Sequence, residues 1–158
     1  MSEVVRIGLI ADTHGLLRPE VAAVFAGVSR ILHAGDVGGR AVTQGLERIA
    51  PVDAVFGNVD DPHDPSLTAA RVVVIDGVTI HVSHGHELGR PTAALALARY
   101  VGDVIVFGHT HRPIIVREGN RLVVNPGAAG PRRFDLQPSV ALLKVEAGRV
   151  TADIISLA

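Results

Sequence analysis

The stretch that decides the fold is VVRIGLIADTH, residues 4–14. Residues 4–11 form a short apolar run, and the polar residues Asp12 and His14 follow it directly. A run of this length, stopped by a polar turn, is typical of a strand that is buried on both faces. The stretch therefore predicts a buried first strand whose carboxyl end carries polar side chains.

The segment that follows alternates between helix and strand patterns. Pro19 opens a helical pattern over residues 19–28, which ends near a glycine. A strand is predicted at residues 30–34, a helix at 39–50 and a third strand at 52–56. Strand and helix in this alternation indicate parallel α/β winding.

The second half of the chain is richer in hairpins. Asp76-Gly77 lies between two β-rich runs, which is a strong hairpin signal. A helix is predicted at residues 90–101 and a strand within 103–111, and residues 113–127 and 139–157 each contain a glycine-bearing turn between apolar runs. We expect a single α/β domain over residues 1–158, with two sheets packed face to face and helices outside them.

Composition excludes several classes of function. Hydrophobic residues make up 47% of the 158 residues and charged residues 20%, which describes a globular chain rather than a disordered one. The net charge is −1 and aromatic residues are only 3%, so no nucleic-acid surface is evident, although a small phosphate pocket stays open. No cysteine is present, which excludes disulfides and thiolate chemistry.

The first residues do not resemble a targeting segment. They lack a basic region, and the apolar run that follows stops at Asp12. This pattern predicts neither a signal peptide nor a membrane span, and we expect a cytoplasmic protein.

Polar residues collect where the predicted strands end. They are Asp12, His14, Asp36, Asn58, His84, His109 and His111. In wound α/β sheets, ligands bind beyond the carboxyl ends of the strands, so five segments that are distant in sequence are expected to meet at one edge.

The chemistry of this set favours metal ions. Imidazole nitrogens together with carboxylate and amide oxygens suit divalent Mn, Fe, Ni, Co or Zn. Seven ligands are too many for one such ion, whereas two ions that share a bridging carboxylate would use them all. Asp36 is the natural bridge, because a short carboxylate on a glycine turn can present one oxygen to each ion. Each motif alone has an ordinary reading as a turn or cap, and only the ordered set favours a metal centre.

This ordered set, DTH, GD, GN, HGH and GHTH, resembles the calcineurin-like metallophosphoesterase superfamily, in particular its small single-domain YfcE-like phosphodiesterase branch. The resemblance runs from about residue 5 to residue 145, and NPGAAGPRR at residues 125–133 is similar to a loop of that branch. It implies a four-layer α-β-β-α sandwich of two mostly mixed sheets, the metallo-dependent phosphatase fold.

The resemblance also implies a site and a reaction. Asp12, His14, Asp36 and His111 would hold one divalent ion, and Asp36, Asn58, His84 and His109 would hold the other. Manganese is the expected metal, with Ni, Fe, Co and Zn as alternatives. The implied reaction is hydrolysis of a small-molecule phosphodiester, in which a metal-bridging hydroxide attacks in line with the leaving alcohol. Asp36, Asn58 and His84 are the residues to which we assign the catalytic role.

One position departs from the wider superfamily. Many members have His directly after the Asn that corresponds to Asn58, and this His is thought to help protonate the leaving alkoxide. Here the segment GNVD places Val59 at that position. Valine cannot donate a proton, and the YfcE-like branch often lacks this His too. We therefore predict a preference for diesters with activated aryl leaving groups. Asp60 is expected to stabilise the turn.

The remaining candidates carry less specific signals. His86 and Arg132 are candidate substrate contacts, and Arg133 could also reach a substrate phosphate. His33 is expected either to support the ligands or to serve packing, His81 to serve packing and His63 to lie in a solvated loop.

Two other classes of function stay open. The same fold would suit a non-catalytic scaffold or a metal-dependent binding protein. A homo-oligomer is also compatible with the sequence.

Overall fold

The computed structural model describes residues 3–133 and 135–158, so residues 1, 2 and 134 of the predicted domain lie outside the described residues. The first five strands are β1 (Val5–Ile10), β2 (Arg30–His33), β3 (Val52–Ala54), β4 (Ala70–Ile75) and β5 (Val78–Ser83). The others are β6 (Val104–Val106), β7 (Ile114–Glu118), β8 (Arg121–Asn125), β9 (Ser139–Glu146) and β10 (Arg149–Ser156). The helices are α1 (Glu20–Val24), α2 (Arg40–Glu47) and α3 (Ala93–Arg99), and a 3-10 turn spans His86–Leu88.

The strands form two mixed sheets of five strands each. The first has the order β10-β9-β1-β2-β3, with β1, β2 and β3 parallel and β9 antiparallel to β1. The second has the order β4-β5-β6-β8-β7, with β5, β6 and β8 parallel and an antiparallel strand at each edge. Parallel strands therefore form the centre of the second sheet and one side of the first.

The two sheets pack face to face around one apolar core. Ile7 and Leu9 of β1 belong to this core together with Val82 of β5 and Val106 of β6, and all four are buried. Because side chains of a strand alternate between its two faces, the intervening residues of these strands face outward towards the helices.

Helices cover the outer faces of both sheets. Phe25, just after α1, packs with Leu46 of α2 against the outer face of the first sheet. Ala96 of α3 packs with Tyr100 and Ile105 on the outer face of the second sheet. The layers are therefore helix, sheet, sheet and helix, which confirms the four-layer sandwich predicted from the sequence.

The predicted elements are present, but the helices are shorter than predicted. The helix predicted at 90–101 spans Ala93–Arg99, because the Thr92 side chain caps it by accepting a hydrogen bond from Leu95 N–H at 3.1 Å. The hairpin of β9 and β10 joins the first sheet, beside β1, and so the two sheets do not correspond to the two halves of the chain. Among the described residues, no helix combines the length and apolar character that a membrane crossing requires.

Candidate metal centre

The seven predicted ligand residues come together at one end of the sandwich. Asp12 and Asp36 follow β1 and β2, Asn58 follows β3, and His84 directly follows β5. His109 and His111 lie in the loop after β6. Each of these strands is parallel to a neighbour in its sheet, and the carboxyl ends of the two sheets meet across the inter-sheet core.

The first group of side chains consists of Asp12, His14 and His111. The Nε2 atoms of His14 and His111 are 3.4 Å apart. They lie 3.8 Å and 3.5 Å, respectively, from Oδ1 of Asp12. One ligand atom from each residue therefore falls within 4.8 Å of the others, the spacing expected around a single ion.

The second group consists of Asp36, His84 and His109, whose ligand atoms also lie within 4.8 Å of one another. His84 Nε2 is 3.3 Å from Asp36 Oδ2. It is also 3.1 Å from Oδ1 of Asn58, which places the amide oxygen of Asn58 with this group.

Asp36 lies between the two groups. Its Oδ2 atom is 3.7 Å from His14 Nε2 of the first group and 3.3 Å from His84 Nε2 of the second. Asp12 Oδ1 is in turn 3.9 Å from His84 Nε2. The groups are thus contiguous, and Asp36 is the carboxylate that faces imidazoles of both.

The residues present fit two divalent ions. Ligand atoms at about 2.1 Å from one ion lie no more than about 4.2 Å from each other. The individual distances within the groups, from 3.1 Å to 3.8 Å, meet that limit. Asp12 Oδ1 is buried, and among the residues that the structure describes it has no hydrogen-bond partner. This is costly for a carboxylate oxygen unless a cation compensates it. Three imidazoles face this oxygen.

The backbone around the site is strained. Seven non-glycine residues of the described chain have a positive φ, between 46° and 70°. Five of them are proposed ligands: Asp12, His14, Asp36, His109 and His111. Such conformations cost free energy and persist where the surrounding structure holds them, which is typical of functional sites.

Two glycines allow the loops to approach this closely. A Cβ atom at Gly57 would lie 2.0 Å from Oδ1 of Asp36, and one at Gly35 would lie 2.7 Å from Nδ1 of His84. Neither distance is compatible with a side chain, so both positions require glycine while the ligands keep their places.

Backbone groups orient the ligand side chains. His84 Nδ1 is 2.8 Å from the carbonyl oxygen of Ala34, to which it donates, so that the lone pair of Nε2 faces the site. Asp12 Oδ2 accepts a hydrogen bond from His109 N–H at 3.1 Å, and Asp36 Oδ1 accepts one from Val59 N–H at 3.1 Å. Each carboxylate therefore keeps its other oxygen for the imidazoles.

The electrostatics of the site favour the metal-binding forms of Asp36, His14 and His109. Burial opposes ionisation of Asp36, but the hydrogen bond and charge of His84 outweigh it and lower the pKa of Asp36 to about 2. Burial lowers the pKa of His14, and the nearby Arg133 guanidinium acts in the same direction. Burial likewise lowers the pKa of His109. At neutral pH, Asp36 is therefore ionised and these two imidazoles are neutral. For His84, burial opposes protonation, but the Asp36 hydrogen bond and the charges of Asp12 and Asp36 outweigh it and raise the pKa, so a metal ion would have to displace a proton there.

His33, for which we expected a supporting or packing role, links two ligand loops through Thr13. Its Nε2 atom donates to Thr13 Oγ1 at 3.0 Å, and this hydroxyl donates to the carbonyl of Val37 at 2.7 Å. Its Nδ1 atom accepts from Gly35 N–H at 3.1 Å. His33 is completely buried, and burial lowers its pKa to about 4.

Asn125, of the NPG segment, organises the loop of His109 and His111. Its side-chain amide donates to the Gly108 carbonyl and to Thr110 Oγ1, each at 3.1 Å, and its Oδ1 accepts from Gly127 N–H at 2.9 Å. Sequence reasoning noted this segment only as part of a family resemblance. A buried Asn before Pro-Gly was the signal that could have identified it.

The other sequence candidates occupy different positions. The His86 ring centroid lies 5.4 Å from that of His84, beside the second group. Arg132 and Arg133 are both exposed, and Arg133 lines a cleft with His111. The His81 ring stacks on Tyr100 at 4.4 Å, and His63 is exposed, as expected for packing and loop residues.

Comparison with known proteins gives the family. A profile of the calcineurin-like phosphoesterase superfamily domain matches residues 5–148. A probable metallophosphoesterase of Methanothermobacter thermautotrophicus is 35% identical, over 94% of this chain and 91% of its own. A phosphodiesterase of Methanocaldococcus jannaschii is 26% identical, over 77% of this chain and 82% of its own.

A solved structure shows the same fold. Vacuolar protein sorting 29 of Cryptosporidium parvum superposes with a TM-score of 0.81 at 21% identity, over 98% of each chain. The chain therefore belongs to the calcineurin-like phosphoesterase superfamily, in its branch of small archaeal and YfcE-like phosphodiesterases.

Proposed function

We propose that the protein is a dinuclear metal-dependent phosphodiesterase. The observation that carries the proposal is the position of Asp36 between two groups of ligand atoms, 3.7 Å from His14 Nε2 and 3.3 Å from His84 Nε2. A single-ion site would not need a second complete set of ligands. A family of phosphoesterases and two contiguous His/Asp groups support the same reaction class.

When bound in these groups, two divalent ions would polarise the phosphoryl group and lower the pKa of the attacking water. The chain's own residues prepare this chemistry. Asp12 and Asp36 supply the negative charge, and the Ala34 carbonyl fixes the His84 ring so that Nε2 faces the site. Asn58 adds a neutral oxygen to the second group. We expect manganese to support activity, with Ni, Fe, Co and Zn as the alternatives.

Position 59 narrows the range of substrates. The Val59 side chain is apolar and 60% exposed, so it provides no proton for a departing alkoxide. Its backbone N–H is instead used to hold Asp36. General acid help is worth about 10²–10⁴-fold, and it matters most for poor leaving groups. The proposed substrate is therefore a small phosphodiester whose leaving alcohol is acidic.

A scaffold or a metal-dependent binding protein is the rival reading. The fold itself does not distinguish an enzyme from these alternatives, because vacuolar protein sorting 29 has the same fold. The retention of all seven ligand-competent residues favours the enzyme. A protein that only presented a surface would have no need of five strained backbone positions at these residues.

The test is hydrolysis of bis(4-nitrophenyl) phosphate by the full chain, with each of the five metals added in turn after chelation. We expect turnover that depends on metal and that Asp36→Asn reduces by at least about 10²-fold. Metal content by mass spectrometry should approach two ions per wild-type chain. Binding of two ions without turnover, with any metal, would overturn the enzyme in favour of the binding protein.

A further inference from the structure

Beside the first ligand group lies a cleft rich in arginine. It has a volume of about 320 Å³, and its walls include His109 and His111 together with Arg90, Arg112 and Arg133. The three arginines come from different segments of the chain. Arg90 follows the 3-10 turn, Arg112 directly follows His111, and Arg133 lies within the loop between β8 and β9.

These arginines are exposed, and in the described part of the protein none of them forms a salt bridge. Arg30 and Arg71 form salt bridges with Asp53, and Arg99 forms one with Glu87. Within residues 3–133 and 135–158, no such salt bridge involves the arginines of this cleft, and none of the residues lining it is acidic. Like charges in one cleft repel each other unless an anion joins them.

The cleft on the other side of the metal centre has a different character. It has a volume of about 360 Å³ and is lined by His84 and His86 among others. Its arginine, Arg99, lies 3.9 Å from the Glu87 carboxylate and is thus already paired. The two flanks of the centre are therefore chemically unequal, one cationic and one neutral overall.

We infer that the arginine cleft binds a second anionic group of the substrate, a phosphate attached near the scissile diester. This inference rests on the proposed function. A simple diester carries one negative charge, which the metal centre meets, and so it leaves the three guanidiniums unmatched. A terminal phosphate would match them, because a guanidinium presents two N–H groups to phosphate oxygens. The cleft volume suits one phosphorylated sugar-sized group.

The test compares two substrates that differ by one phosphate. They are the 4-nitrophenyl ester of thymidine 5′-phosphate and the same ester with a phosphate on the 3′ hydroxyl. For the metal-loaded wild-type protein, we expect kcat/KM to be about ten-fold higher for the phosphorylated ester, mainly through KM. The double variant Arg112→Gln/Arg133→Gln should lower this ratio to about three-fold or less, because only Arg90 remains, whereas Lys at both positions should retain more of it.

Arg48→Gln is the matched control, because Arg48 is an exposed arginine at the end of α2, outside the cleft. It should retain the wild-type ratio. A wild-type ratio near one, or a ratio that survives the double Gln variant, would overturn the inference.

A second measurement separates this inference from the proposed function. If neither ester is hydrolysed, the enzyme proposal fails, and the cleft is then judged by calorimetric titration of the metal-free protein with inorganic pyrophosphate at low ionic strength. Binding that weakens about ten-fold in the double Gln variant would support the anion site. Absent binding, or equal binding by both proteins, would refute it.

Discussion

The Asp60 carboxylate accepts a hydrogen bond from Val37 N–H at 3.0 Å, and thereby joins the loop after β3 to the loop after β2. It also accepts from Gly38 N–H at 3.0 Å and from Gly57 N–H at 2.8 Å. The first loop carries Asn58 and the second carries Asp36. One side chain therefore sets the distance between two proposed ligands of the second group, while its own oxygens accept from backbone N–H groups.

Replacing Asp60 is expected to weaken metal binding. Asp60→Ala leaves three backbone N–H groups without their acceptor, and we expect the free energy of unfolding to fall by about 2 kcal/mol. Loss of such a supporting partner typically lowers metal affinity by about 10–100-fold. Calorimetric titration of the apo protein with manganese measures this effect directly.

Asp61→Ala is the control for that experiment. Asp61 is exposed and caps only its own turn, by accepting from His63 N–H at 2.9 Å. Its loss should leave manganese affinity within about two-fold of wild type. Equal losses of affinity in the two variants would show that Asp60 does not position the site.

Introducing a proton donor at position 59 is expected to widen the substrate range. Because Val59 is largely exposed, Val59→His should fold normally. We expect kcat/KM to rise for diesters with alkyl leaving groups, by up to about 10²-fold, and to change little for nitrophenyl esters. The readout is the slope of log(kcat/KM) against leaving-group pKa, which should become shallower.

Val59→Asn serves as the comparison, because asparagine is polar but its side chain cannot act as a general acid. It should keep the steep wild-type slope. A His variant with that same slope would mean that the missing donor does not limit the reaction.

Most of the fold could be predicted from the sequence, because its signals are local. The apolar run before Asp12 and the Asp76-Gly77 turn each predicted an element that the structure contains. What could not be predicted was which sheet receives the hairpin of β9 and β10. Its alternating pattern fits an edge of either sheet, and only pairing with β1 decides between them.

That the seven candidate ligand residues would come together could be predicted for a related reason, whereas the contacts that support them could not. Ligands such as Asp36 follow strands directly, so strand order alone brings them to one edge. Contacts such as that between Thr13 and His33 depend on how loops fold over each other, and no spacing in the sequence reports it. The sequence also could not decide between Arg132 and Arg133, because adjacent residues of a loop differ only in which way the backbone turns them, and it is Arg133 that lines the cleft.

A salt-bridge cluster is expected to hold the two sheets together far from the chemistry. Asp53 on β3 lies 2.9 Å from Arg30 Nε and also pairs with Arg71 on β4 of the other sheet. Asp53→Ala leaves both arginines unpaired at a half-buried site, so the free energy of unfolding should fall by about 2 kcal/mol. Urea denaturation measures it, with exposed Asp153→Ala as the control.

In the same Asp53 variant, manganese stoichiometry should stay at the wild-type value, because the cluster does not contact the ligands. A loss of stability no larger than that of the Asp153 control would show that the cluster is not a cross-sheet clamp.

His33 is expected to make the metal-free protein less stable in acid. Its pKa is about 4 in the folded protein, against about 6.5 in the unfolded chain, because it is buried and its Nδ1 atom accepts from Gly35 N–H. Between these two values the unfolded chain binds the proton and the folded protein does not. The contribution of His33 to the free energy of unfolding is therefore fully present above pH 6.5. It is lost as the pH decreases towards 4, which amounts to about 3 kcal/mol at most.

Urea denaturation in the presence of a chelator, repeated from pH 7.5 to 4.5, isolates this contribution when wild type is compared with His33→Gln. Glutamine retains a donor and an acceptor but does not titrate, so the variant should be less stable at pH 7.5 and the difference should shrink as the pH falls. The titration of other groups changes the free energy of unfolding of both proteins alike, so it cancels in the difference between them. Parallel stability curves would show that the His33 proton is not what couples the ligand loops to pH, and the link through Thr13 Oγ1 would then be no more than packing.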